Sequence, residues 1–517
     1  MAWRRWLFGF ISCADILMSE QAASKLSRKG LAEGSMGLLA IVTLGVSTVA
    51  PAYALTATMG PTAMVVGDHM PAVFLVGFIP MLLVALGYRE LNADAPDSGT
   101  SFTWATKAFG PYIGWLGGWG LVSATVIVLS NLAGIAVEFF YLLLSEIFRV
   151  PAIADWPDHL AVNIATCLVF MAAAMWVCYR GATATKAVQY TLVILQITVM
   201  VWYSVAAWRA AGAAPALPFS WDWFNPLSID SFSAFAAGLS LSIFIYWGWD
   251  LCLTLNEEAT DSAKTPGRAA ALVIFIILAL YLSVSVSTMR FAGLGDTGLG
   301  LANPSTGENV LAEMAVPVMG PFAVLVALAV LASSVASLQS TFVSPARTLL
   351  AMGHYRAIAE RFAWIHPKYR SPGYATVVAG VVAGVFYTVM HVVSEHVLAD
   401  TILTLGMMIC FYYGLTAFAC VFYFRHTLRQ SARNFFMRGV APLTGGLILA
   451  AVFIETALDS MNPEFGSGSS VFGTGLVFLL AVGIILLGVV LMLIISWHRP
   501  GFFNGETLRR DTPTFTG

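Results

Sequence analysis

The sequence predicts an all-α integral membrane protein of twelve transmembrane helices. Three observations carry that prediction. Hydrophobic residues make up 58% of the 517-residue chain and charged residues only 10%, against roughly 25% charged in soluble domains. The apolar residues gather into twelve runs, each near the ~20 residues an α-helix needs to cross ~30 Å of hydrocarbon. The Lys and Arg residues alternate between loops in a pattern that this span count preserves and the loss of one helix would scramble.

The runs cover residues 36–60, 71–88, 112–143, 159–179, 185–207, 233–257, 269–291, 319–345, 374–392, 399–424, 440–458 and 473–497. With both termini on the inner side, 23 of the 26 Lys and Arg fall in inner segments, and only Arg149, Arg209 and Arg290 lie outside. That bias rejects the inverted orientation and predicts a multi-pass plasma-membrane protein with both termini cytoplasmic. Residues 1–35 form an inner N-terminal segment. Arg4 and Arg5 there precede an apolar stretch over 6–18 that Asp15 interrupts. No small-residue cleavage site follows, so an interfacial helix is expected rather than a signal peptide. Residues 498–517 form a cytoplasmic tail. The six cysteines (Cys13, Cys167, Cys178, Cys252, Cys410, Cys420) show no metal-binding spacing and read as buried thiols. No cofactor, metal or nucleic-acid partner is expected; the lipid bilayer is.

Backbone groups freed from a helix inside lipid cost several kcal/mol each unless they line a cavity or are buried in protein, so helix breaks point to function. Near its midpoint the first run reads Gly45-Val46-Ser47-Thr48-Val49-Ala50-Pro51-Ala52-Tyr53. Pro51 removes the amide that would bond to Ser47. The sixth run reads Tyr246-Trp247-Gly248-Trp249-Asp250 near its midpoint, with Gly248 weakening the helix beside a carboxylate. Facing lipid, ionised Asp250 would cost about 2.5 to 3.5 kcal/mol on insertion scales, so it must face the interior. There it serves either a ligand or a structural hydrogen bond to neighbouring helices.

Breaks in runs one and six fit a five-plus-five inverted repeat, residues 36–207 and 233–424, followed by two further helices over 440–497. In that geometry the half-helix N-terminus of the first run holds a carboxylate, while carbonyls at the broken ends hold an ammonium group. The candidate substrate-binding residues are Ser47, Thr48, Val49, Ala50, Ala52, Tyr53, Tyr246, Trp247, Gly248, Trp249 and Asp250. Asn131 of the third run joins them as a residue that either faces the site or bonds between helices. The aromatic faces of Trp247 and Trp249 beside Asp250 suit a cationic or amine-bearing ligand.

Three further stretches carry a family likeness. The first runs from Tyr88-Arg89-Glu90-Leu91 through Pro96-Asp97-Ser98-Gly99 to Phe109-Gly110 and Gly117-Gly118-Trp119. The second is Glu257-Glu258-Ala259-Thr260 with Pro266-Gly267-Arg268. The third is Ser344-Pro345-Ala346-Arg347 with Met352, followed by His366-Pro367 and Pro372. In that order they resemble the amino acid-polyamine-organocation (APC) superfamily over nearly the whole chain. The resemblance implies a LeuT-type fold and a secondary transporter moving an amino acid or related amine by alternating access, with a proton or sodium as the candidate coupling ion and uniport, symport and antiport all open. It places Ser333, Ser334 and Ser337 where sodium-coupled relatives supply hydroxyls, a position small packing residues also fill. It places Gln196, which cannot titrate, where proton-coupled members carry a Lys. Most members have Gly-Ser-Gly in the first break; this chain has Val46-Ser47-Thr48.

Arg89, Glu257, Glu258 and Arg347 fall at inner ends of runs, where charge pairs serve either as a cytoplasmic gate or as a solvated rim. Rival classes lack their signatures. No Gly-x-Ser-x-Gly, His-Glu-x-x-His or dense His/Cys group supports a membrane-embedded enzyme, and no repeated polar filter supports a channel. A transporter-like sensor that binds the same ligand without moving it remains the alternative.

Overall fold

The computed structural model describes residues 29–212, 216–307, 309–393 and 397–514. The interfacial helix expected over 6–18, and Cys13 with it, lie outside them. Among the described residues ten helical segments are long and apolar enough to cross a membrane. Where the sequence reading has twelve spans, the difference falls at two places. The segment Leu38–Asp94, 57 residues long, comprises α1 (Leu38–Val49), α2 (Pro51–Val66) and α3 (Met70–Asp94). The expected sixth span is split into α8 (Phe232–Ile245) and the short α9 (Leu251–Thr254), neither of which spans alone.

Between and after these lie α4 (Ser101–Phe109), α5 (Pro111–Phe148), α6 (Leu160–Tyr179), α7 (Ala182–Ala210), α10 (Thr265–Ala292) and α11 (Val310–Met319). Then come α12 (Val324–Thr341), α13 (Val343–His354), α14 (Gly373–Val393), α15 (Val397–Tyr423), α16 (Ala441–Asp459) and α17 (Leu476–His498), with the short α18 (Pro500–Phe503) last. Proline opens many of them: Pro51, Pro71, Pro111, Pro266, Pro442 and Pro500 sit in first turns, where the missing amide has no intrahelical partner to lose.

The interrupted helices occupy the middle. α1 and α2 pack against α9 and α8 respectively, α12 runs along both halves of the first pair, and α15 covers α8. α5 closes the far side against α12 and α15. The peripheral helices turn apolar side chains outward: Leu486, Leu487, Val490, Leu493 and Ile494 of α17 are about half exposed. In water such a face would drive association, whereas in hydrocarbon it is the solvated surface. This is a multi-pass membrane protein. The described cysteines are free and buried.

Candidate functional site

The first break is one residue wide. α1 ends at Val49, Ala50 adopts φ 54°, ψ 61°, and Pro51 starts α2. Pro51 has no amide to continue the ladder, so the chain reverses locally into the left-handed region, which costs a non-glycine residue about 1–2 kcal/mol. What holds it there is α12. Ser337 Oγ donates to the Thr48 carbonyl at 2.8 Å, Thr48 Oγ1 donates to Ser340 Oγ at 2.9 Å, and Ser47 Oγ lies 3.4 Å from the same Ser340 oxygen. On the α2 side, the Tyr53 amide donates to Ser333 Oγ at 3.5 Å. Ser334 instead bonds back to the Val330 carbonyl of its own helix. Ser333 and Ser337 therefore clasp the two halves of the break, and Ser334 does not.

The second break is wider and is held by α15. The carbonyl ending α8, that of Ile245, accepts from Tyr281 Oη at 2.6 Å. Gly248 has φ +108°, a conformation L side chains rarely adopt, and a Cβ there would sit 3.0 Å from Thr48 carbonyl carbon and Cγ2. Glycine thus serves twice: it permits the reversal and lets the two breaks touch. Beside it, Tyr412 Oη accepts from Trp247 Nε1 at 2.6 Å and donates to Asp250 Oδ2 at 3.3 Å. Tyr413 Oη accepts from the Gly248 amide at 3.5 Å and donates to Asp250 Oδ1 at 2.8 Å. Each hydroxyl ties the unwound backbone or its Trp to the carboxylate.

The remaining expected residues divide. Trp249 is fully buried against Tyr88 and Tyr413, with ring centroids 5.1 and 5.0 Å apart, and its Nε1 has no hydrogen-bond partner among the described residues. Tyr53 meets Phe244 edge-on at 6.2 Å and its buried hydroxyl is likewise unpartnered. Val49, Ala50 and Ala52 are buried along the break. Tyr246 points elsewhere, donating to the Phe74 carbonyl at 3.0 Å. Asn131 links α5 to α15 by accepting from Thr401 Oγ1 at 2.9 Å. Gln196 is fully buried with both amide atoms unpartnered among the described residues, while Gln189, two turns earlier on α7, bonds the Ala336 carbonyl and Gln339 of α12.

A second polar cluster closes one end of the bundle, below the breaks. Lys29 Nζ donates to Asp97 Oδ2 at 2.7 Å and to Glu257 Oε1 at 2.5 Å, and Glu257 Oε1 also accepts the Ser98 amide at 2.9 Å. Tyr355 Oη donates to Asp97 Oδ2 at 2.7 Å. Burial works against the charge on Lys29, but Asp97 and Glu257 outweigh it and hold its pKa above the usual 10.5. Burial likewise opposes charge on Asp97; the Lys29 ammonium, Thr103 and the Gly99 amide overcome it and hold the carboxyl below 3.8. Beside this cluster Arg347 Nε donates to Glu258 Oε2 at 2.8 Å, and its Nη2 reaches the same oxygen. Of the four residues expected at this end, Glu257 and Glu258 join separate ion pairs, and Arg347 takes the second. Arg89 lies across Gly267 at the start of α10, and its neighbour Glu90 receives Arg433 and Arg438 instead.

The amino acid permease family profile matches residues 35–490, which span both breaks and the Glu258–Arg347 pair. The chain belongs to that family, within the APC superfamily. Among its relatives, the low-affinity putrescine importer PlaP of Escherichia coli strain K12 is 23% identical over 462 residues, covering 86% of this chain and 93% of its own. The branched-chain amino acid permease BcaP of Bacillus subtilis is 23% identical over 71% of this chain and 75% of its own. The methylthioribose transporter of the same organism is also 23% identical, over 71% and 76%.

Sequence reasoning about this permease family member named the serines that clasp the first break but missed the tyrosines that hold the second and two members of the charge cluster. Tyr412 and Tyr413 sit in an apolar run with no nearby break to draw attention. Asp97 was visible only as part of a motif, and Lys29 as one of several inner cations. The only available signal for the tyrosines was polarity: two adjacent hydroxyls in a buried helix need partners.

Proposed function

We propose that this chain is a secondary active transporter that moves an amino acid or related amine across the plasma membrane by alternating access, with both termini cytoplasmic. The observation that carries the reading is the contact between the two breaks, Gly248 against Thr48, in the middle of the bundle. It supports a substrate site formed by Ser47, Thr48, Val49, Ala50, Ala52, Tyr53, Trp247, Gly248, Trp249 and Asp250, with Tyr246 and Asn131 shaping its edges. A carboxylate group of the substrate faces the amides at the start of α2, and an ammonium group faces the unwound carbonyls and Asp250, which accepts hydrogen bonds from Tyr412 and Tyr413. All of these residues are buried, so a ligand enters only if helices move, as alternating access requires. Two of the three relatives, named as a putrescine importer and a branched-chain amino acid permease, favour the same substrate class, while the third is named for methylthioribose.

In this reading Leu38–Asp94 counts as two spans and α8 with α9 as one, which makes twelve. The breaks then stand first in each five-helix set of an inverted repeat. Ser333 and Ser337, already bridging the halves of the first break, are the candidate ligands for a coupling sodium, and a proton is the other coupling ion to test. The ion pairs Lys29–Asp97, Lys29–Glu257 and Glu258–Arg347 form the inner gate, with Arg89 at its rim.

Thermal-shift screening of the purified protein against amino acids, polyamines, choline and γ-aminobutyrate identifies the ligand class. Uptake into liposomes under separately imposed sodium and proton gradients then tests transport and coupling. A ligand that binds but moves under neither gradient would overturn the transporter reading in favour of a sensor.

A further inference from the structure

Beyond α17 the chain folds back across the gate end of the bundle. Phe502 and Leu508 are each 1% exposed; Phe502 stacks on Phe102 of α4 at 5.6 Å, and Phe503 meets Tyr112 of α5 at 4.9 Å. Polar contacts continue the track. Thr507 Oγ1 donates to the Tyr355 carbonyl at 2.6 Å, Lys107 Nζ of α4 donates to the carbonyls of Arg510 at 3.2 Å and Thr512 at 2.6 Å, and Arg510 Nη2 donates to the Tyr423 carbonyl at 2.7 Å. The segment thus reaches α4, α5, the end of α13 and the end of α15.

Its path matters because of what lies underneath. A cavity of about 260 Å³ is walled on one side by Lys29, Asp97, Glu257 and Tyr355 and on the other by Thr507, Thr512 and Pro513. Tyr355 joins the two walls: its hydroxyl donates to Asp97, the partner of Lys29, and its carbonyl accepts from Thr507. Lys29 precedes α1, so the charge cluster anchors the chain entering the first break. Opening this end requires Lys29 to leave Asp97 and Glu257, and Thr507, Thr512 and Pro513 line the void beside them.

We propose that residues 500–514 are a strap that holds the inner end of the pathway closed, and that its release from α4 and Tyr355 precedes inward opening. This rests on the transporter reading for its consequence, faster exchange, but not for the closure itself. Lys107 and Thr507 are the positioning residues, since they hold the strap by its backbone and to Tyr355. Release of two such hydrogen bonds is enough for a tenfold shift in the open population, about 1.4 kcal/mol.

The test places a reporter thiol beside Lys29, Ser98→Cys, whose native side chain is fully buried and receives the Lys29 ammonium at 3.4 Å, in a background with the native cysteines replaced. Labelling by a water-soluble maleimide is compared in the otherwise complete chain, after deletion of residues 500–517, and in a Lys107→Met, Thr507→Val double variant. The double variant keeps the strap's apolar anchors and guards against a deletion that simply unfolds, which melting temperature reports. Labelling about tenfold faster in both, with melting within a few degrees of the parent, supports the strap. Equal labelling in the double variant and the parent overturns it. Substrate exchange in liposomes, measured in parallel, rises with labelling if the transporter reading holds. If the parent chain moves no ligand, that reading fails while labelling still decides the strap.

Discussion

Asp250 looks, in sequence, like a charge waiting for a ligand, and in the folded chain it already has two donors, Tyr412 and Tyr413 of α15. Its buried carboxylate both receives those hydroxyls and, through them, holds Trp247 and the Gly248 amide in the unwound segment. Two substitutions separate these roles. Asp250→Asn keeps the size and can still accept from a tyrosine, so folding survives; loss of a charge-assisted bond worth about 1.5–3 kcal/mol weakens amine binding roughly 10- to 100-fold, read by thermal shift or equilibrium dialysis. Unchanged affinity would remove the carboxylate from the ligand's shell. Gly248→Ala forces a side chain into a positive-φ position 3.0 Å from Thr48. It is expected to abolish uptake and lower the melting temperature, because neither the strain nor the clash has room to relax.

At the scale of elements, the breaks are not floppy interruptions. Each is clamped by a neighbouring helix: the first by hydroxyls of α12, the second by hydroxyls of α15 and Tyr281 of α10. Ala50 shows the consequence for tolerance. At φ 54°, Ala50→Gly removes backbone strain and leaves melting within about 1 kcal/mol of the parent, whereas Ala50→Val adds a β-branched side chain to the left-handed region and destabilises by roughly 1–3 kcal/mol. Equal melting for the two variants would mean that the turn is not held in this conformation. The other end of α2 is equally tight. A Cβ on Gly60 would fall 2.2 Å from the Gly307 carbonyl oxygen, so the two backbones cross here at a distance only glycine allows.

For the whole molecule, the end of the bundle that holds Lys29 and Asp97 carries charges whose behaviour with pH follows from their directions. Lys29 titrates above 10.5 in the folded chain, so its stabilisation is fully present below 10.5 and is lost as pH rises through the higher folded value. Asp97 titrates below 3.8, so its contribution is present above 3.8 and is lost only as pH falls through the lower folded value. Closure of this end, read by Ser98→Cys labelling, is therefore expected to stay constant from about pH 5 to 7 and to weaken at higher pH sooner than Lys29 alone would allow, because burial pushes the Lys107 ammonium that holds the strap below its usual 10.5. A change of severalfold within that window would assign the gate to another titrating group. The Glu258–Arg347 pair makes a complementary prediction. Arg347→Met leaves a buried carboxylate alone and costs about 3–5 kcal/mol, while adding Glu258→Gln recovers most of it, since removing both charges spares the uncompensated one. Melting of the two variants decides the point.

What the sequence determined by itself was the solvent and the location of the weak points. Lipid leaves a chain little choice: apolar runs of spanning length become helices, and a Pro51 or a Gly248 within one interrupts it, because those effects depend only on composition and on residues a few positions away. Tertiary structure decided what the weak points meet. Tyr412 lies 162 residues from Asp250 and Asp97 lies 68 from Lys29, separations at which no periodicity or spacing rule acts. It also decided that Glu257 and Glu258, adjacent in the chain, serve different cations. Hydrogen-bond and ion-pair partners are chosen by which buried groups packing brings within 3 Å, and packing belongs to the assembled bundle rather than to any one span.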